Sequence, residues 1–126
     1  MVDYDLKIIR PDAILTTAYV VGAELEDLER HNQIMLFLEF TKGQLTSFQL
    51  KIEFSDDGVT YYQHTFESIS GGVNTCSPGV YSFTPSGDQN FMLAVPVKCS
   101  KIRISVKGTG TVTSSSLRVR AAIGKA

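Results

Sequence analysis

Residues 48–66 read FQLKIEFSDDGVTYYQHTF, and this stretch does most to decide the fold class. On its first limb, apolar side chains alternate with polar ones, and the apolar set is Phe48, Leu50, Ile52 and Phe54. A period of two predicts a β-strand with one buried side and one solvent-facing side. Residues 55–58 have the composition of a turn, and residues 59–66 are rich in β-branched and aromatic side chains. The stretch therefore predicts an antiparallel hairpin.

Similar segments lie on both sides of this hairpin. Strands are predicted over residues 13–21, 33–41, 80–84, 91–97, 101–107 and 117–123, with residues 1–12 as an edge strand or an extended arm. Residues 24–32 fit a short helix or a strand, and residues 68–79 are predicted to be a turn-rich loop. Met35 and Phe37 indicate that the strand at 33–41 is buried on both sides. Together these segments predict one all-β domain over residues 1–126, an antiparallel β-sandwich or jelly roll.

The composition is that of an ordinary soluble globular protein. Of the 126 residues, 43% are hydrophobic and 20% are charged. No apolar run approaches the roughly 20 residues that cross a bilayer, and residues 1–12 do not resemble a secretory signal, so no membrane partner is expected. Cys76 and Cys99 are too few for a disulfide scaffold, and we predict that both are reduced.

The net charge of −1 hides an uneven distribution along the chain. Residues 1–67 hold twelve acidic and five basic side chains, a formal charge of −7, whereas residues 68–126 hold one acidic and seven basic side chains, a formal charge of +6. The asymmetry indicates either a charged partner or two halves that interleave and neutralise each other. The pI of about 6.1 lies far below the value above about 9 that is typical of nucleic-acid-binding domains, so no nucleic acid partner is predicted.

Alternation in two late strands predicts a protein interface. The side chains expected to face outward are Lys101, Arg103, Lys107, Arg118 and Arg120. If the two strands lie together in one sheet, these cations form a basic stripe that attracts carboxylates. The expected carboxylates belong to a shell protein or to residues of a neighbouring copy, namely Glu24, Glu26, Asp27 and Glu29. The alternative is internal pairing with Glu39, Glu53 or Glu67.

The sequence shows no motif for catalysis. His31 and His64 have no nearby nucleophile, and the cysteines and histidines lack zinc-ligand spacing. Turn chemistry accounts for Asp56 and Asp57, and the Gly-Lys-Ser/Thr ending of a phosphate-binding loop is absent. We therefore predict a protein that is not an enzyme and that uses no cofactor and no metal.

Three motifs resemble those of discoidin-like, galactose-binding-like jelly rolls. Residues 55–61 (SDDGVTY) are similar to the Ser-x-Asp-Gly-x-x-Trp hairpin of these modules, with Tyr61 in the aromatic position. Residues 96–104 (PVKCSKIRI) and 117–124 (LRVRAAIG) are similar to their last two strands. The secretory signal, the terminal cysteine pair and the tryptophans of these modules are missing, so the resemblance implies the scaffold without the extracellular task.

A second resemblance fits these absences. Residues 36–58 (LFLEFTKGQLTSFQLKIEFSDDG) resemble small virion proteins of tailed bacteriophages, in which a strand, a Gly-rich turn and a second strand lead to Ser-x-Asp-Gly. The resemblance implies a non-enzymatic virion protein that is assembled in the host cytoplasm. Its expected role is capsid decoration or a place in the neck or tail. Its expected partners are shell proteins and further copies of itself.

The alternative function is a carbohydrate-binding module for host attachment. Aromatic rings and hydroxyl groups suit sugar stacking, and the candidate ligand residues are Tyr61, Tyr62, His64 and Tyr81.

Overall fold

A computed structural model describes residues 3–26, 33–95 and 99–125. Within them the chain forms eleven strands and no helix. The strands are β1 (Asp3–Ala13), β2 (Val20–Val21), β3 (Gln33–Thr41), β4 (Leu45–Ser55), β5 (Tyr62–Gln63), β6 (Thr65–Ser70), β7 (Val73–Pro78), β8 (Val80–Phe83), β9 (Gln89–Val95), β10 (Lys101–Gly110) and β11 (Ser116–Lys125).

Two antiparallel sheets face each other across the core. The four-stranded sheet has the order β1-β11-β3-β9, and the five-stranded sheet has the order β2-β10-β4, with β5 and β8 both paired to β4. The chain passes from one sheet to the other at most connections, for example between β3 and β4 and between β10 and β11. This is jelly-roll topology, and it confirms the predicted fold class.

The core is built from the alternating strands that the sequence predicts. In β3 the inward residues are Ile34, Leu36, Leu38 and Phe40, and in β4 they are Phe48, Leu50, Ile52 and Phe54; all eight are buried. The ring of Phe48 joins the two sheets, because its centroid lies 4.6 Å from that of Phe40 in the opposite sheet; it also stacks on Phe83 of its own sheet, at 4.7 Å. Burying a side chain of this size stabilises the fold by about 1.5–3 kcal/mol.

The predicted hairpin at 48–66 forms only next to its turn. Strand β4 pairs with β5 for two residues, Glu53 with Gln63 and Phe54 with Tyr62, and the chain then leaves the sheet. Strand β8 takes the remaining edge of β4, with Leu50 opposite Tyr81. The prediction of one continuous return strand over 59–66 was therefore wrong, because a strand later in the chain occupies that edge.

Residues 68–79 form a hairpin instead of the predicted loop. Strands β6 and β7 pair antiparallel and make a separate two-stranded sheet. Gly71 and Gly72 occupy the turn with φ of 59° and 78°. Positive φ at both central residues is the requirement of a type I′ hairpin turn, which glycine meets without steric penalty. The sequence analysis missed this strand pairing because the segment is rich in turn-forming residues.

The first strand is longer than predicted, and the second is shorter. Strand β1 continues past Pro11 to Ala13, and β2 spans only Val20–Val21 rather than residues 13–21. Proline is tolerated because β1 lies at the edge of its sheet, where a missing N–H breaks no ladder bond. Leu25 forms an isolated bridge with Ile102, so residues 24–26 are extended rather than helical; residues 27–32 lie outside the described part.

Candidate functional site

The five predicted interface cations face outward but do not form one stripe. Lys101, Arg103 and Lys107 lie on β10, in the five-stranded sheet, whereas Arg118 and Arg120 lie on β11, in the four-stranded sheet. Their alternation with buried residues is as predicted. The expectation of a single stripe was wrong, because the chain crosses between the sheets after β10 and places the two groups on opposite faces.

The outer surface of β10 and β4 is charged and internally paired; we call it the charged face. Arg103 donates two hydrogen bonds to Glu53, from Nε at 3.2 Å and from Nη2 at 3.0 Å. The guanidinium carbon lies 4.2 Å from the centroid of the Tyr61 ring. Lys101 approaches Glu26 at 3.9 Å. These contacts leave the charges of the face largely balanced within the chain.

Tyr19 covers the other end of the charged face. Its ring centroid lies 4.6 Å from the Lys51 ammonium and 4.9 Å from the Lys107 ammonium, and its hydroxyl bonds to Gln49 at 3.2 Å. Partial burial raises the pKa of the Tyr19 hydroxyl. The sequence analysis did not single out Tyr19, since nothing in its neighbourhood along the chain indicates two distant lysines.

The outer surface of the four-stranded sheet has one polar end. There Glu39 of β3 lies between Arg118, with which it forms a close ion pair, and Arg120, whose Nη2 lies 3.4 Å from Oε1. The hydrogen bond from Arg118 is the main cause that lowers the pKa of the Glu39 carboxyl. Acidic side chains of the first half of the chain thus pair with basic side chains of the second half. This is the second of the two explanations for the uneven charge, in which the two halves neutralise each other.

The rest of this surface is apolar and uncovered. Paired residues place Leu6, Ala122, Met35 and Ala94 in one row across the four strands, and Ile8, Arg120, Phe37 and Met92 in the next. We call these two rows the apolar face. Ile8 is 62% exposed and Met92 is 66% exposed. Met35 and Phe37 are half-buried, so the expectation that β3 is buried on both sides was wrong: no further layer covers it in the described part.

The predicted acidic partners lie beside the charged face. Glu24 and Glu26 are exposed in the extended segment that bridges to β10. Glu24 contributes to the raised pKa of Tyr61, whose main cause is burial of the hydroxyl. Asp27 and Glu29 fall outside the described residues.

The four candidate sugar-binding residues do not converge. Tyr61 lies under Arg103, and Tyr62 pairs with Phe54 about 13 Å along β4 from the partner of Tyr81. His64 and Tyr81 are linked through Phe66, with ring centroids 5.4 Å and 5.6 Å from it. Phe66 was missed because it was assigned to the return limb of the hairpin.

Among the clefts in the described part of the chain, two are lined by charged side chains. A cleft of about 570 Å³ is lined by Asp12, Glu39, Thr41, Asp88, Asn90 and Arg118. A second cleft, of about 350 Å³, lies between β1 and residues 23–26. Among the residues whose structure is described, no three His, Cys, Asp or Glu side chains are grouped so that they could hold a metal ion. The same residues contain no helix that is long and apolar enough to cross a membrane.

Comparison with known proteins shows a shared fold but no family. No family model matches the chain, and no curated protein matches it. Among solved structures it is similar to the VP2 subviral particle of infectious bursal disease virus, with a TM-score of 0.51, 12% identity, and coverage of 98% of this chain and 32% of that one. A structure of Nora virus matches with a TM-score of 0.45 and 14% identity over 97% of this chain and 54% of that one. The chain thus spans about a third of the VP2 chain, and the likeness shows a shared fold.

Proposed function

We propose that this chain is a non-enzymatic structural protein of a virus particle. The observation that carries the proposal is the contrast between the two outer surfaces of the sandwich. The charged face satisfies its charges internally, through pairs such as Arg103 with Glu53, whereas the apolar face leaves Leu6, Ile8 and Met92 in water. Contiguous exposed apolar surface of this kind is typical of a protein interaction site. The shared fold with a VP2 subviral particle agrees with such a role.

We further propose a capsid decoration protein of a tailed bacteriophage, with a neck or tail component as the next candidate. The resemblance of residues 36–58 to small phage virion proteins supports this choice. The chain would assemble in the host cytoplasm and bind shell subunits and copies of itself. By burying the apolar face between neighbours, it would raise the barrier to their separation.

The predicted interface residues take two places in this proposal. Arg120 lies in the second row of the apolar face, and Arg118 lies beside that row at the polar end of the sheet; both would contact the neighbour. The charged face would point away from that contact. Lys101 and Arg103 keep their partners Glu26 and Glu53, and Lys107, which forms no ion pair with a described residue, would meet a carboxylate of a different neighbour.

Particle reconstitution tests the function. Particles that lack the chain are mixed with purified protein, and bound protein and the temperature of genome release are measured. We expect the wild type to bind and to raise the release temperature, Leu6→Asp to do neither, and Val59→Asp, at an apolar residue that is 84% exposed and outside both faces, to match the wild type. Failure of the wild type to bind, together with its absence from purified particles by mass spectrometry, would reject the proposal.

The carbohydrate-binding alternative has less support, because Tyr61 is covered by Arg103 and Tyr62 lies apart from Tyr81. A glycan array decides it: specific binding by the isolated chain, lost in Tyr62→Ala and Tyr81→Ala, would favour the module over the shell protein.

A further inference from the structure

The hairpin of β6 and β7 is an arm without a partner in its own chain. Residues 65–77 are all exposed, and the two strands pair only with each other in the described part. A two-stranded ribbon of this length is marginally stable in water by itself. The arm is held at its base, where Phe66 packs between His64 and Tyr81. Beyond that base, the turn at Gly71 and Gly72 favours the pairing, but no other described strand covers the arm.

The two sides of the arm differ. Successive side chains of β6 point to opposite sides of the arm. Phe66 and Ser68 lie on the side that faces Tyr81, and Glu67 and Ile69 lie on the opposite, free side. Ile69 is 75% exposed. Glu67 is the only charged residue of the arm and forms no ion pair with any described residue. The free side of the arm therefore offers one apolar and one anionic group, about 7 Å apart.

The apolar face has the matching arrangement. Phe37 and Met92 are neighbours in one row, and Arg120 lies on the strand next to Phe37, about 7 Å from the midpoint of the two apolar residues. The Nε atom of Arg120 is shielded from water and has no acceptor among the described residues. Arg120 is the one charged residue in the two rows of the apolar face, and its charge is opposite to that of Glu67.

We propose that the arm of one copy docks on the apolar face of the next copy, an inference that rests on the proposed function. Ile69 packs on Phe37 and Met92, and Glu67 lies beside Arg120. Within one chain Ile69 and Met92 both remain exposed, so the two surfaces do not meet there. A contact between different surfaces of two copies is heterologous, and it builds rings or rows of subunits rather than closed dimers.

Sedimentation velocity on single and mixed variants tests this contact. The variants are Ile69→Asp on the arm, Met92→Asp on the apolar face, and Val59→Asp as a control at an apolar residue that is 84% exposed and outside both surfaces. We expect the wild type and Val59→Asp to associate as concentration rises towards about 1 mM, a range that reveals even weak contacts. Each of the other two variants should associate at least tenfold more weakly.

The mixture gives the decisive result. In an equimolar mixture of Ile69→Asp and Met92→Asp, the intact arm of the second variant meets the intact face of the first. We therefore expect one-to-one dimers that neither variant forms alone and that do not grow further. Dimers of two apolar faces would leave Ile69→Asp unaffected, pairing of two arms would leave Met92→Asp unaffected, and a wild type that stays monomeric would show no contact at all. Each of these three results overturns the proposal.

Two further measurements check that the variants stay folded and that Glu67 contributes to the contact. Thermal melts should stay within a few degrees of the wild type, since the substituted side chains are exposed; if Met92→Asp unfolds, Met92→Gln replaces it. Glu67→Lys should weaken association most at low salt, because screening shortens the reach of the charge. A chain that is found in particles but stays monomeric in solution would reject the arm contact alone, whereas absence from particles would reject the proposed function.

Discussion

Arg10 stabilises the bend after the first strand, although nothing around it in the sequence marks it. Its side chain is buried, and it donates from Nε to the Leu117 carbonyl at 3.1 Å and from Nη2 to the carbonyls of Ala13 at 3.1 Å and Ile14 at 2.8 Å. Burial lowers the pKa of the guanidinium, against the opposing effect of Asp12. Three backbone acceptors therefore depend on one side chain.

We expect Arg10→Met to lower the free energy of unfolding by about 2–4 kcal/mol, because it leaves buried carbonyl groups unpaired. Urea denaturation measures the change, and Lys7→Met, at an exposed residue of the same strand, is the matched control. Equal free energies of unfolding for the two variants would show that water bonds to the three carbonyl groups as well as the guanidinium does.

Asp57 organises the loop after β4 and makes its stability depend on pH. Its Oδ1 accepts hydrogen bonds from the backbone N–H groups of Val59 at 2.8 Å and Thr60 at 2.9 Å, and it lies 3.0 Å from the Ser55 hydroxyl. These bonds, the one from Val59 first, lower the pKa of the Asp57 carboxyl. A lowered pKa in the folded state means that the carboxylate stabilises the fold above the unfolded value of about 3.9 and loses that effect as pH falls below it.

We therefore expect Asp57→Asn to be less stable than the wild type at pH 7 and to approach it at pH 3. Melting temperatures at both pH values measure the two gaps. Asp56→Asn, at the neighbouring exposed carboxyl, is the control for the loss of one surface charge beside the same turn. A gap for Asp57→Asn that stays constant between pH 7 and pH 3 would contradict the assignment.

At the scale of the elements, the connection between β3 and β4 requires glycine. Gly43 has a φ of 54°, and a Cβ atom there would lie 2.5 Å from the carbonyl oxygen of Ser114. The same contact lets the Gln44 N–H donate to the Ser114 hydroxyl at 3.2 Å. The turn from one sheet to the other is thus fitted against the loop that precedes β11.

We expect Gly43→Ala to destabilise the protein by more than about 2 kcal/mol, since left-handed backbone penalises alanine by about 1–2 kcal/mol and the clash with backbone adds to it. Gly87→Ala is the control, because a Cβ atom there meets nothing within 4 Å, and it should change stability by less than about 0.5 kcal/mol. Chemical denaturation compares the two; similar values would mean that the turn shifts freely.

Strand β4 carries the centre of the core. Ile52 is fully buried, and its partner across the strands is Ile104. We expect Ile52→Ala to lower the free energy of unfolding by roughly 2–5 kcal/mol, as large-to-small changes in a core do. Lys51→Ala, on the outward side beside Tyr19, should lower it by about 1 kcal/mol or less. An Ile52→Ala variant that melts like the wild type would place the wrong side of β4 in the core.

At the scale of the whole molecule, the sandwich has two unlike surfaces. The charged face joins acidic and basic side chains from distant parts of the chain, such as Glu53 and Arg103. The apolar face collects exposed residues from β1 and β9, such as Ile8 and Met92, beside the shared carboxylate of Glu39. The two sides of the sandwich therefore differ in what they offer to a partner, one with paired charges and one with exposed apolar side chains.

The sequence by itself determined the inward and outward sides of the main strands. Residues 33–41 were predicted with the observed bounds, and the buried sides of residues 48–54 and 101–107 were identified correctly. Alternation is a property of adjacent residues, since successive side chains point to opposite sides of a strand whatever it pairs with. The same local pattern was sufficient to predict an all-β sandwich.

Only the tertiary structure decided which strands are neighbours. Arg103 and Arg118 are both outward-facing, yet they lie on opposite faces, because β10 pairs with β4 while β11 pairs with β1 and β3. The arm of β6 and β7 is a second example, because β8 pairs with β4 at the edge where residues 59–66 were predicted to return. Pairing is set by the burial of apolar surface over the whole chain, and residues distant in sequence compete for each edge, so no single segment encodes its own neighbour.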